Sequence, residues 1–212
     1  MSYLESHWDD LLELGIAHAL VVAVSVAIAT VIGVALGIAT YRTERPRELV
    51  LAITGFFLTI PSLALFGLLI SPLGLGWPPV AVALVMYALL PIVRNTVVGL
   101  REVDPAIVES AQGMGMGRAR RLLRIELPLA WPVIMTGMRV STVIVVGIAA
   151  IGAYVNGPGL GEDIFRGLRR IGNPETALNL VLGGLLGIVV LAILFDLVYV
   201  LLSRLTTSRG IR

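Results

Sequence analysis

Four stretches of this chain are long enough to cross a hydrocarbon core and carry almost no charge, and this property dictates where every backbone polar group must go. Gly15 to Ala39 is uncharged over 25 residues and Leu49 to Ile70 over 22; Leu129 to Ala153 is interrupted only by Arg139, and Ala177 to Leu202 only by Asp196. About 20 helical residues span the core. In lipid each N–H and C=O must be bonded within its own element, so such runs fold as helices. A fifth run, Pro79 to Val93, is shorter at 15 residues, but Trp77 and Arg94 flank it and suit the two interfaces. The chain therefore reads as an all-α polytopic membrane fold with five spans, at about 15–39, 49–70, 79–93, 129–153 and 177–202. An N-terminal segment 1–14, a long loop 94–128 and a tail 204–212 lie outside them.

Arginine placement orients the spans. With an outside N-terminus, the inside segments hold three, six and three Arg, which is twelve of the sixteen basic residues, and the bias puts the C-terminus in the cytoplasm. Loop 94–128 is then cytoplasmic. The N-terminal segment is acidic, with Glu5, Asp9, Asp10 and Glu13, and Leu4, Trp8, Leu11 and Leu12 give it an apolar stripe suited to an interfacial helix. It has neither the basic start nor the small-residue cleavage site of a signal peptide.

Composition excludes several functions. At 57% hydrophobic and 14% charged, the chain is too apolar for a soluble domain, and no nucleic-acid partner is expected. There is no Lys, so no Walker A loop to hold nucleotide phosphates, and any ATP-derived energy has to come from another subunit. There is no Cys and only two His; His7 is expected at the surface and His18 at an interface, with no metal site. Three Trp, five Tyr and five Phe are scattered, and no aromatic cage for a quaternary ammonium group can be read from them.

Loop 94–128 carries the most specific pattern, Glu109-Ser110-Ala111-Gln112-Gly113-Met114-Gly115, followed after nine residues by Ile125-Glu126-Leu127-Pro128. A helix that lies flush on another subunit needs small side chains, and Ser110, Ala111, Gly113, Gly115 and Gly117 supply them. Each glycine costs a helix interior about 1 kcal/mol relative to Ala, so two short helices with a turn near the glycines are expected. The second leads into the next span with Pro128 near its start. An ordinary interfacial loop with turning glycines is the simpler alternative.

The spacing resembles the coupling loop of ABC importer permeases, with Ser110 in place of that pattern's second Ala. Arg94-Asn95-Thr96-Val97-Val98-Gly99-Leu100-Arg101-Glu102-Val103-Asp104-Pro105-Ala106 and its continuation to Gly117 resemble the permeases of glycine betaine, choline and related osmoprotectant importers. So do Thr59-Ile60-Pro61-Ser62-Leu63-Ala64-Leu65 and the run from Gly157-Pro158-Gly159-Leu160-Gly161 to Leu168. The resemblance implies a type I importer fold in a bacterial or archaeal plasma membrane. It also implies a second permease subunit, identical or different, two cytoplasmic ATPase subunits that use ATP and Mg, and an extracytoplasmic substrate-binding protein. No cofactor is implied in this chain. Glu109 to Gly117 would dock on the ATPase, with Ile125, Leu127 and Pro128 completing the motif. Methionine importer permeases share the five-span layout and are the nearest alternative, and a passive channel or carrier is the rival of a different class.

Irregular and polar residues inside the spans are candidates for a pathway. Pro61 removes one backbone hydrogen bond in mid-span and frees the carbonyl of Phe57; Thr59 and Ser62 either satisfy it in a packed kink or, with Pro61, line a passage. Arg139 lies eleven residues beyond Pro128, about 16 Å along a helix and so near mid-membrane. Asp196 lies at a similar depth on the neighbouring span. The two are expected to approach each other, directly or through water, and to hold the fourth and fifth spans together, with a solvated cavity or a substrate role for Arg139 as the competitor. Outside, Gly157, Gly159 and Gly161 are suited to a hinge before a short amphipathic helix; the resemblance implies that this segment is part of the outer gate and meets the binding protein, and a connector capping the bundle is the simpler alternative.

Overall fold

The computed structural model describes residues 7–206, and within them the regular structure is entirely helical. Leu4 of the expected interfacial stripe, Glu5 of the acidic start, and Arg209 and Arg212 of the tail lie outside the described residues. Helix α1, Trp8–Thr40, is one unbroken helix of 33 residues, about 50 Å long. The described part of the N-terminal segment is thus continuous with the first span rather than a separate helix. Asp9 and Asp10 sit in its first turn, where carboxylates complement the helix dipole.

The second apolar run is broken. Helices α2, Glu44–Thr59, and α3, Ser62–Leu73, meet at 100°. Ile60 and Pro61 are extended, with ψ of 126° and 130°, because proline excludes the α conformation from the residue before it. The Phe57 carbonyl is not freed: it accepts the Ile60 N–H at 3.2 Å. The Thr59 hydroxyl donates instead to Phe56 at 2.8 Å, and the Ile60 carbonyl accepts from the Tyr87 hydroxyl at 2.7 Å. Among the described residues four helices are long and apolar enough to span a membrane, and the bent pair makes a fifth span if counted as one.

Helix α4, Trp77–Arg101, is the centre of the bundle and extends eight residues past the expected end at Val93. Its buried residues Val80, Leu84, Tyr87 and Ile92 form the main core with Val21, Val22 and Val26 of α1. Close approach is achieved through glycine: a Cβ on Gly37 would lie 2.6 Å from Thr96, and one on Gly137 would lie 2.7 Å from the Pro91 carbonyl oxygen.

The loop after α4 contains α5, Pro105–Gly113, and α6, Arg118–Arg121. A π turn over Leu122–Glu126 then feeds α7, Leu127–Ile151, with Pro128 in its first turn. A 3₁₀ turn, Gly152–Val155, leads to α8, Gly161–Arg169, and to α9, Pro174–Thr206. The buried residues of α9 are Leu180, Gly183, Gly184 and Tyr199, so most of its apolar surface faces outward, toward lipid or another subunit.

Candidate functional site

Asp104-Pro105 starts α5: the Asp104 carboxylate accepts the Ala106 N–H at 2.8 Å, and proline takes the first helical position, where its missing N–H costs nothing. The helix ends in a turn in which Gly115 donates to the Gln112 carbonyl at 3.0 Å and Met116 to that of Ala111 at 3.1 Å. Gly115 has φ of +79°, a left-handed conformation that costs an ordinary residue about 1–2 kcal/mol. The two short helices and glycine turn expected from the sequence are therefore present.

Within the motif, Glu109, Ser110, Gly113, Gly115 and Gly117 are exposed. Ala111 is not: at 1% exposure it packs into its own chain and is unavailable to a docked subunit. Ile125 and Leu127 are half-buried and Pro128 is exposed. The free face gains apolar residues that the sequence pattern did not single out, since Ile107 and Met114 are 42% and 72% exposed and share a side of the helix with Ser110. An exposed small and apolar face on a short helix is suited to association.

The best-ordered chemistry of the loop lies beneath that face, at residues the sequence reading passed over. Glu126, at 2% exposure, is held by three side chains: Arg121 Nε donates to it at 2.8 Å, the Tyr41 hydroxyl at 2.7 Å, and Arg42 NH2 at 3.1 Å. Arg42 also donates to Tyr41 at 2.5 Å and lies over its ring, and Arg121 NH1 reaches Gln112 of α5 at 3.3 Å. The π turn brings Glu126 to this point; such turns recur at functional positions. One signal was available, because Glu126 is the only acidic residue between Glu109 and Glu162.

In the spans, Arg139 and Asp196 meet in a two-pronged ion pair, with Nε and NH2 donating to the two carboxylate oxygens, the second at 2.7 Å. Their side chains remain 48% and 37% exposed, so the pair ties α7 to α9 at the bundle surface. Below it Thr142 and Tyr199 share a buried hydrogen bond at 2.9 Å. Removing one charge leaves the other unmatched in a costly environment. Arg139→Gln and Asp196→Asn are accordingly expected each to lower the melting temperature of the purified chain, and the double variant to lose less than the sum. Additive losses in a double-mutant cycle would show that the two side chains do not depend on each other.

Thr59 and Pro61 are exposed and Ser62 is half-buried at the α2–α3 break. The three loop glycines Gly157, Gly159 and Gly161 are buried and close-packed rather than free to hinge. A Cβ on Gly157 would lie 2.6 Å from Val80, one on Gly159 2.7 Å from His18 Nδ1, and one on Gly161 1.9 Å from the Ala150 carbonyl oxygen. His18 is wholly buried, not interfacial, with Nε2 3.0 Å from the Val146 carbonyl. In α8, burial pushes the Asp163 carboxyl above its usual range, opposed by Arg166. Among the described residues no cluster of His, Asp and Glu is arranged to hold a metal.

Comparison with known proteins places this geometry. Residues 15–208 match the family described as binding-protein-dependent transport system inner membrane component. The choline transport system permease protein OpuBB of Bacillus subtilis (strain 168) is 35% identical over 212 residues, 100% of this chain and 95% of that protein. The osmoprotectant import permease protein OsmW of Salmonella typhimurium is 38% identical over 216 residues, covering 99% of this chain and 98% of its own. In fold, the chain matches a subunit of the MetNI methionine ABC transporter in inward-facing form with a TM-score of 0.80 at 23% identity, covering 93% of this chain and 96% of that one. The fold is that of a type I ABC importer permease, and the chain belongs to the family of binding-protein-dependent transport system inner membrane components.

Proposed function

We propose that this chain is the membrane permease of an ATP-driven importer for glycine betaine, choline or related osmoprotectants. The observation that carries the proposal is likeness over the whole chain to permeases of choline and osmoprotectant import, at 35% and 38% identity, against a likeness in fold alone to the methionine transporter at 23%. The chain itself is a transport subunit, and hydrolysis belongs to a separate ATPase. Two ATPase subunits, a second permease subunit and an extracytoplasmic binding protein complete the assembly, with the N-terminus outside and the C-terminus in the cytoplasm of a bacterial or archaeal plasma membrane.

In this assembly the exposed face of α5, with Ile107, Ser110 and Met114, seats on the ATPase, and Gly113, Gly115 and Gly117 shape the turn beside it. ATP-driven closure of the ATPase pair displaces α5 and tips the bundle from inward to outward access; hydrolysis resets it. Substrate choice rests mainly with the binding protein. The packed Gly157–Gly161 loop closes the outer side. The α2–α3 break, with Thr59, Pro61 and Ser62, lines the passage between the two permeases, where an exposed proline break inside a membrane span has water rather than lipid for company.

Uptake of labelled glycine betaine, with methionine as comparison, in transport-deficient cells that express this chain with its neighbouring ATPase and binding-protein genes tests the proposal. Betaine uptake supports it; methionine uptake instead keeps the importer and replaces the substrate. The passage has its own test, because the chain has no Cys of its own. Ser62→Cys is expected to react with a water-soluble thiol reagent in at least one nucleotide state, and complete protection in all states would remove Ser62 from the passage.

A further inference from the structure

The docking helix α5 is poorly tied to the bundle it has to move. Ala111 is its one buried residue, and the turn that follows it contains Gly115 and Gly117, which resist bending least. A displacement delivered at Ile107 or Met114 would dissipate in that turn unless a stiffer connection ran in parallel.

The Glu126 cluster is such a connection. From α5, Gln112 accepts from Arg121 at 3.3 Å; Arg121 donates to Glu126 at 2.8 Å; Glu126 accepts from Tyr41 and Arg42 at 2.7 and 3.1 Å. These residues belong to different parts of the chain. Gln112 lies in the docking helix, Arg121 and Glu126 lead directly into α7, and Tyr41 and Arg42 are the two residues that follow α1. Charge-assisted hydrogen bonds with a buried carboxylate are short and directional, and the low-dielectric surroundings strengthen them. The carboxylate cannot leave Arg121 cheaply, since both members of that pair are buried. Both helices that meet at Glu126, α1 and α7, pack closely along α4 at Gly33, Gly37, Gly99 and Gly137, so that each can move as a unit with its contacts to the core.

We propose that Glu126 is a positioning residue that clamps the docking helix to the cytoplasmic ends of α1 and α7, so that one push at α5 moves both helices together. The inference rests on the proposed role as an ATP-coupled permease and names the joint through which that coupling passes. Arg42 is the adjustable member: its side chain is 34% exposed, whereas Arg121 is 7% exposed and locked in place.

The test uses the complete importer in proteoliposomes and reads the ratio of substrate imported to ATP hydrolysed. Tyr41→Phe and Arg42→Gln, which remove donors without emptying the site, are expected to lower this ratio by about tenfold, with uptake falling much further than hydrolysis. Glu126→Gln is expected to lower it at least as far. Uptake and hydrolysis that fall in proportion would mean a purely structural role and would overturn the proposal, as would an unchanged ratio.

A second readout does not depend on substrate or ATPase. Spin labels at Ala39→Cys, on the last turn of α1, and Ala106→Cys, on the first turn of α5, are expected to give one narrow distance distribution in nanodiscs. Glu126→Gln is expected to broaden it. A distribution as narrow in the variant as in the parent would sink the clamp, whether or not betaine is the substrate. Lack of uptake by the unmutated assembly, with the broadening still present, would overturn the transport reading and leave the clamp standing.

Discussion

Gly161→Ala is expected to reduce folded protein in the membrane by an order of magnitude or more. The added methyl carbon would lie 1.9 Å from the carbonyl oxygen of Ala150, 2.6 Å from its carbonyl carbon and 2.8 Å from its Cα, all of them backbone atoms that cannot rotate away. Relief requires moving the end of α7 away from the start of α8. That movement is blocked on the far side, where a Cβ on Gly167 would already lie 2.8 Å from the Ala177 carbonyl oxygen of α9 and one on Gly184 2.8 Å from that of Leu160. Overpacking usually costs about 1–3 kcal/mol, and a backbone clash of this depth lies at or beyond the upper end, a large part of a typical stability of about 5–15 kcal/mol. Gly172→Ala is the control, because nothing lies within 4 Å of a Cβ there. Detergent extraction followed by size-exclusion chromatography measures both. Equal recovery of the two variants would contradict the packing described for the Gly157–Gly161 loop.

Gly115→Arg is expected to abolish ATP-driven uptake while leaving the protein in the membrane. No atom lies within 4 Å of a Cβ at this position, so the first carbon of the new side chain meets open space. The left-handed backbone adds about 1–2 kcal/mol of strain, which a bundle of this size absorbs. On the proposed reading, what changes is the surface offered to the ATPase, where a long cation replaces the glycine turn beside Met114. Gly115→Asn is the informative companion. Asparagine tolerates the left-handed region and is short and uncharged, so it is expected to retain most of the uptake. Loss of uptake and of ATPase co-purification in the Arg variant alone would place the fault at docking. Equal loss in both variants would place it in the backbone of the turn.

Much of this molecule is legible in its sequence because a bilayer leaves few alternatives. The apolar runs, bounded by arginine and tryptophan, reveal the spans, and mid-membrane depth alone suggested that Arg139 and Asp196 would meet, as they do in the structure. Glycine spacing revealed the two short helices of the loop. Less was legible wherever tertiary contact decides. Hydropathy cannot tell a kinked helix from a broken one, and the 100° bend at Pro61 depends on the Tyr87 hydroxyl, 27 residues away in sequence, to cap the Ile60 carbonyl. His18 read as an interfacial group because imidazole is polar, yet Gly159 and the Val146 carbonyl enclose it. Ala111 read as part of the docking face because it is small, and it is buried against its own chain. Glu126 was hidden in plain view as the variable residue of a motif. Its partners Tyr41 and Arg42 are 84 or more residues earlier, and no local pattern links them.

The central claim is that this chain turns ATP hydrolysis in a partner into the import of an osmoprotectant. The most direct measurement is accumulation of labelled glycine betaine in proteoliposomes that contain this chain with its permease partner and ATPases, loaded with ATP and supplied with the binding protein outside. Accumulation that requires ATP and is lost with Gly115→Arg is the predicted result. Betaine entry that proceeds equally well without ATP, or without the ATPase subunits, would contradict it.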